Sequence, residues 1–154
     1  MDTLTEYAER MWQGEATMRG LFADGAPMGV AAPVAEGVAV VPGFANVIAF
    51  QTADGLVLVD TGLQQTARAM FDAVRAWSAD PVRYAVFTHG HVDHVSGMAP
   101  YDQEAAARGW QAPVVVAHEA VAARSAGGRT AWMISSSRAP AFISASVCST
   151  SDSR

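Results

Sequence analysis

The segment Thr88-His89-Gly90-His91-Val92-Asp93-His94-Val95-Ser96-Gly97 gathers three of the chain's four histidines and one aspartate within six residues. It follows the apolar run 82–87, which reads as a buried strand because it is too short for an ordinary helix. A core could not bury three imidazoles and a carboxylate unpaired without a large desolvation penalty, and a plain solvated loop has no reason to collect them. Metal binding explains the composition. Neutral imidazole nitrogens and carboxylate oxygens are the donors that zinc, iron and manganese accept at about 2.0–2.2 Å. His89 and His91 are separated by one residue, so in backbone just past a strand end both reach a common ion from one side. Asp93 and His94 are adjacent, and on that ground are expected to point apart and to serve a second ion. Gly90 and Gly97 supply the backbone freedom that a crowded loop needs.

The pattern His-x-His-x-Asp-His, carried by His89, His91, Asp93 and His94, resembles the signature of the metallo-β-lactamase-fold hydrolases. A second element agrees with it. Gly55-Leu56-Val57-Leu58-Val59-Asp60-Thr61-Gly62 is an apolar strand ending in Asp-Thr-Gly, similar to that family's first motif, in which the aspartate supports the metal loop from behind the ligands. The resemblance covers residues 38–119. It implies an α/β (α+β) fold, a metallo-β-lactamase-like αββα sandwich of which this chain carries the first half plus an atypical tail.

The same resemblance implies a chemistry. The metal ligands would be His89, His91, Asp93 and His94, with one or two Zn2+ ions as cofactor and Fe or Mn as alternatives. Asp60 would act from the second shell, and Asp93 would also be the catalytic residue that orients a metal-bound hydroxide. Such a hydroxide forms near neutral pH because a bound cation lowers the pKa of water from about 15.7 toward about 7. The implied substrates are small molecules of the ester, thioester, lactone, lactam or sulfate type. In the family, further ligands come later in the chain, and no histidine follows His118 here. A catalytically silent half-domain with weak or no metal binding is therefore the alternative function. His118 itself either leans toward the metals from a strand end or caps the helix that follows. The Ala117-His118-Glu119 strand end has a slight resemblance to the alkyl-sulfatase branch.

With 154 residues and 51% hydrophobic content, the chain can bury a sizeable core. Its net charge of −5 and the absence of lysine argue against a nucleic-acid partner, because phosphate binding depends on clustered Lys and Arg. The single cysteine, Cys148, excludes an internal disulfide and fits a reducing compartment. Asp2, Glu6, Glu9 and Arg10 stand where a secretory signal would need a basic start and an apolar stretch. Prolines and glycines interrupt the apolar region 26–50, so no membrane-spanning helix is expected there. A cytoplasmic location without membrane contact follows as the expectation.

Three segments are expected. Residues 1–33 comprise a helix over 3–21, packed on the domain surface rather than acting as a lid, and a loop over 22–33. Residues 34–124 form the metallo-β-lactamase-like half-domain. Strands are expected at 37–41, 46–52 and 56–60, with Asp54-Gly55 as a hairpin turn. A helix at 64–76, the strand 82–87, a short helix at 101–108 and a strand at 113–117 complete it. Such a half-domain would leave a sheet edge exposed, through which copies could self-associate.

Residues 125–154 change character. Serine occurs nine times there and twice, at Ser78 and Ser96, before it, while Asp152 is the one acidic residue. No period of 2 or 3.6 runs through 135–154. An atypical tail without regular structure, from a frameshifted or truncated reading frame, is the working hypothesis. One uninterrupted frame in the source DNA, with no family-like continuation in another frame, would contradict it.

Overall fold

Short apolar runs separated by tight turns become a single seven-stranded sheet. The computed structural model describes residues 4–17, 19, 29–124 and 142–145. Strands β1 (Ala32–Ala35), β2 (Val38–Val41), β3 (Val47–Thr52) and β4 (Gly55–Val59) form an antiparallel meander. Strands β5 (Val82–Val86), β6 (Val114–His118) and β7 (Phe142–Ala145) extend it in parallel, so spatial order follows chain order. The β3–β4 turn is the expected Asp54-Gly55 hairpin. The Thr52 hydroxyl donates to the Gly55 carbonyl at 2.7 Å and accepts the Asp54 N–H at 3.3 Å. Gly55 has φ +130, and a Cβ there would collide with the Pro81 carbonyl.

The helices are α1 (Leu4–Trp12), α2 (Ala67–Trp77) after a 3-10 turn at Gln64–Thr66, α3 (Val92–Val95), α4 (Ala99–Arg108) and α5 (Glu119–Arg124). Helix α4 starts with a proline in its first turn and stops at Gly109, which is left-handed, as helix-end chemistry favours. Among the described residues no helix is long and apolar enough to cross a membrane.

The core lies between one face of the sheet and the helices. Ala39, Ala49, Leu58, Ala85 and Val115 are register partners across five strands, and all are essentially inaccessible. Met70, Phe71, Ala73 and Val74 of α2 and Tyr101 of α4 pack above this face, while Val95 and Val121 cover its β5–β6 side. Phe71 meets Tyr101 edge to face at 5.1 Å between centroids. Arg75 joins the two helices: its Nε donates to Glu104 at 2.8 Å, and its Nη1 donates to the carbonyls of Ser78 and Asp80. The opposite face carries Val38, Val40, Ile48, Phe50, Val57, Val59, Tyr84, Val86, Val114 and Val116. None of these ten is buried.

Three expectations change. The first helix stops at Trp12 instead of running to residue 21, because a turn with Gly14 at φ +79 follows it. A strand, β1, occupies part of the expected loop, and Pro33 is tolerated in it because β1 is at the edge of the sheet. Within the stretch expected to lack period, 142–145 pairs with β6 in parallel. The remainder of the serine-rich tail, residues 125–141 and 146–154, lies outside the described residues, and with it Cys148.

Candidate metal centre

Strands β4, β5 and β6 are parallel, so their carboxyl ends share one edge of the sheet, where α/β folds place their ligands. Asp60 stands just past β4, the 88–94 loop just past β5, and His118 at the end of β6. Two backbone segments are pinned together there. Thr61 N–H donates to the His94 carbonyl at 2.7 Å, and Gly97 N–H donates to Thr61 Oγ1 at 3.2 Å. Gly62 bridges Val95 in parallel fashion, and Gln64 N–H donates to Ser96 Oγ at 2.9 Å. A Cβ on Gly97 would overlap the Thr61 carbonyl. The Asp-Thr-Gly element and the histidine loop thus form one unit.

Asp60 organises this unit. It is 5% exposed and is the one non-glycine among the described residues with positive φ, at 58°, a conformation aspartate tolerates better than most residues. Its Oδ1 accepts the Thr88 N–H at 2.9 Å, and its Oδ2 accepts the Thr88 hydroxyl at 2.7 Å and His94 Nδ1–H at 2.7 Å. An ionised carboxylate only accepts, so beside it the neutral imidazole of His94 carries its proton on Nδ1 and keeps the Nε2 lone pair. The Thr88 hydroxyl spends its proton on Asp60 and therefore accepts at 2.9 Å from His89 Nδ1–H. That leaves His89 Nε2 unprotonated as well. One buried carboxylate sets two imidazole tautomers, directly and through Thr88.

The three imidazole rings lie side by side. His89 lies 4.1 Å from His94 and 4.5 Å from His91, centroid to centroid. His94 Nε2 and Asp93 Oδ2 are 3.5 Å apart. The two side chains therefore converge, against the expectation that adjacent residues point apart. On the short helix α3 neighbouring positions are about 100° apart, and the reach of both side chains closes the gap. With a neutral imidazole both groups are acceptors, and a cation between them would satisfy both. Donors about 2.1 Å from one ion at a tetrahedral angle stand about 3.4 Å apart, so the pair has the spacing of two vertices around a metal. The donor chemistry and this spacing fit a divalent ion. Among the described residues, no group of three or more His, Cys, Asp and Glu side chains is placed so that it could hold a metal ion together.

His118 is exposed, and its Nδ1 accepts the Ala120 N–H at 3.2 Å. It caps α5, the second of the two roles the sequence left open for it. Thr88, which the sequence reading left without a role, joins Asp60 to His89 through its hydroxyl. Its signal is its position, a hydroxyl between the strand end and the first histidine.

The family model of the Metallo-beta-lactamase superfamily matches residues 40–138. The metallo-beta-lactamase of Cronobacter sakazakii with an HARLDQ motif is 27% identical, with a TM-score of 0.54 over 70% of this chain and 40% of its own. A double mutant of the sec-alkyl sulfatase PisA1 is also 27% identical, with a TM-score of 0.51 over 64% of this chain and 16% of its own. The subclass B3 metallo-beta-lactamase BJP-1 of Bradyrhizobium japonicum is similar in fold, with 24% identity and a TM-score of 0.50 over 60% and 34%. No curated protein matches at a comparable level. The chain spans at most about two-fifths of the length of these solved structures.

Proposed function

The chain belongs to the metallo-beta-lactamase superfamily, and from that premise we propose that it is a metal-dependent hydrolase of ester, thioester, lactone, lactam or sulfate-type bonds. The observation carrying this reading is the convergence of His94 Nε2 and Asp93 Oδ2 at 3.5 Å, with His94 Nδ1 already occupied by Asp60. His89, His91, Asp93 and His94 would hold zinc, with iron or manganese as alternatives that the same donors accept. The bound ion supplies Lewis acidity, so that water serves as a nucleophile near neutral pH.

The protein's own residues do the rest. Asp60 keeps the proton on His94 Nδ1, which holds the ring in place and leaves Nε2 as a donor. Thr88 passes the same constraint to His89. Asp93, beside His94, would hold the ion and would accept a hydrogen from the attacking water, orienting it toward the substrate. Support for the substrate class comes from neighbours described as lactamases and as a sec-alkyl sulfatase.

A second reading is a catalytically silent half-domain. Its support is that, among the described residues, no group of three or more His, Cys, Asp and Glu side chains could hold a metal ion. Elemental analysis of the purified protein decides between them. The hydrolase reading expects about one or two metal ions per chain, loss of that metal in His91→Ala and Asp93→Ala, and chelator-sensitive cleavage of an activated ester. Folded protein without metal would overturn it in favour of the silent half-domain.

A further inference from the structure

His118 is the one histidine outside the 88–97 segment, and strand β6 brings it to the sheet edge that carries the candidate metal centre. Phe87 N–H donates to the Val116 carbonyl at 2.9 Å, so the parallel ladder that pairs Val86 with Val116 continues one step past the end of β5. The next step sets His118 level with Thr88, one strand spacing of about 4.8 Å away. Both leave the sheet on the same face. Thr88 follows Tyr84 and Val86 by twos, His118 follows Val114 and Val116, and the residues between them, Ala85, Phe87, Val115 and Ala117, are buried on the helix side. The Thr88 hydroxyl lies 2.9 Å from His89 Nδ1, so His118 is a lateral neighbour of the Thr88–His89 pair.

The hydrogen bonding of His118 keeps it out of the ligand set. Its Nδ1 accepts the Ala120 N–H at 3.2 Å. A ring nitrogen that accepts carries no proton, so the neutral ring holds its proton on Nε2. That is the reverse of His89 and His94, whose Nε2 lone pairs are free for a metal. His118 is exposed, and among the described residues its Nε2 has no hydrogen-bond partner. A fixed donor therefore stands beside a group of acceptors.

We propose that His118 is a substrate-binding residue of the metal centre, whose Nε2–H donates to a negatively charged oxygen of the substrate and so favours sulfate esters and carboxylate-bearing lactams, lactones or esters over neutral ones. The inference rests on the hydrolase reading and narrows its substrate class to anions. A charged acceptor makes a hydrogen bond roughly twice as strong as a neutral one, so a fixed N–H discriminates between the two. In a chain with a net charge of −5 and no lysine, the general field repels such a substrate, and a local donor beside the cation offsets this. The contact that sets the tautomer also holds the ring, so little side-chain freedom is lost on binding.

His118→Ser separates binding from capping, because serine is a good helix N-cap and ends well short of the imidazole Nε2. The full chain is assayed for metal, then for hydrolysis of two aryl esters that differ in one carboxylate. In His118→Ser the KM for the carboxylate-bearing ester should rise roughly tenfold, the loss of one hydrogen bond to a charged group. Its kcat, the KM of the neutral ester, the metal content and the thermal midpoint should stay at wild-type values. Independently of turnover, the ring nitrogen resonances of wild-type His118 should report the Nε2–H form and should shift saturably on addition of inorganic sulfate. Metal-loaded protein with the His118 proton on Nδ1, with a ring signal that sulfate leaves in place, or with equal KM changes or none for the two esters overturns the inference and leaves the hydrolase reading standing. So does a variant that loses stability and activity on both esters alike, since capping is then the whole role of His118. Folded protein without metal overturns both.

Discussion

His94 Nδ1 stands 2.7 Å from Asp60 Oδ2 across 34 residues of sequence, and this contact couples the end of β4 to the histidine loop. It fixes which nitrogen of His94 faces Asp93, and Asp60 is held for the purpose in a backbone conformation that few side chains adopt.

Replacing Asp60 tests that coupling. Asp60→Asn keeps a residue that tolerates φ 58°, yet its amide replaces one acceptor oxygen with an NH2 group, which must face a donor, either the Thr88 N–H or the Thr88 hydroxyl and His94 Nδ1–H. Metal affinity is expected to fall by roughly 10- to 100-fold, with a thermal midpoint close to wild type. Asp60→Ala should lose the same affinity and about 1 kcal/mol of additional stability from backbone strain. Metal titration beside thermal melts would show whether the two effects separate.

Gly97 is where the two motifs touch. In Gly97→Ala the new methyl overlaps the Thr61 carbonyl, and a backbone oxygen cannot rotate away, so the loss should reach or exceed the ~3 kcal/mol upper end usual for overpacking. Gly109→Ala is the control. Its Cβ meets nothing within 4 Å, and the left-handed φ of 68° costs only about 1 kcal/mol. Equal denaturation midpoints for the two variants would contradict this account.

Tyr101 is 1% exposed, and its hydroxyl has no hydrogen-bond partner among the described residues. Burial pushes its ionisation well above the usual tyrosine range. Tyr101→Phe removes a desolvated hydroxyl while keeping the ring against Phe71, so stability should hold or rise by up to about 1 kcal/mol. Tyr101→Ala opens a cavity and should cost about 3–5 kcal/mol. Urea unfolding of both variants checks the pair.

Asp102, half-buried in the first turn of α4, has its carboxyl pushed up to about 6 by desolvation. Between the ordinary value of 3.8 and about 6, the folded protein binds more protons at this site than the unfolded chain does. Stability from this group is therefore complete below the lower value and is lost as pH rises through the upper one. Asp102→Asn should remove that part of the pH dependence and stabilise the protein at neutral pH by on the order of 1 kcal/mol, given the partial exposure. A wild-type profile that rises between pH 4 and 6 at this site, measured as the difference from the variant, would contradict the assignment.

Local sequence made most of the elements legible. Periodicity and turn chemistry located the β3–β4 hairpin, the helix after Gly62, the buried run before the histidine loop and the strand that ends at His118, because these depend on neighbours within a few residues. What failed depended on distant partners. Strand β1 contains Pro33 and has little pattern of its own; its place comes from pairing with β2. The run 142–145 lacks alternation, since β6 alone supplies its ladder. The first helix was read too long because apolar spacing continues past Gly14, where the backbone turns.

The candidate site divides along the same line. By itself the sequence pointed to His89, His91, Asp93 and His94 as candidate donors and to Asp60 as their support, because the residue types able to hold a metal are a matter of side-chain chemistry. Only the tertiary structure decided that Asp93 and His94 converge rather than diverge, that Thr88 relays Asp60 to His89, and that His118 turns to cap α5. Those outcomes are distances of a few ångströms between groups far apart in the chain or on different turns of backbone. They are set by strand register and by the close approach of Gly97 to Thr61, which no local pattern encodes.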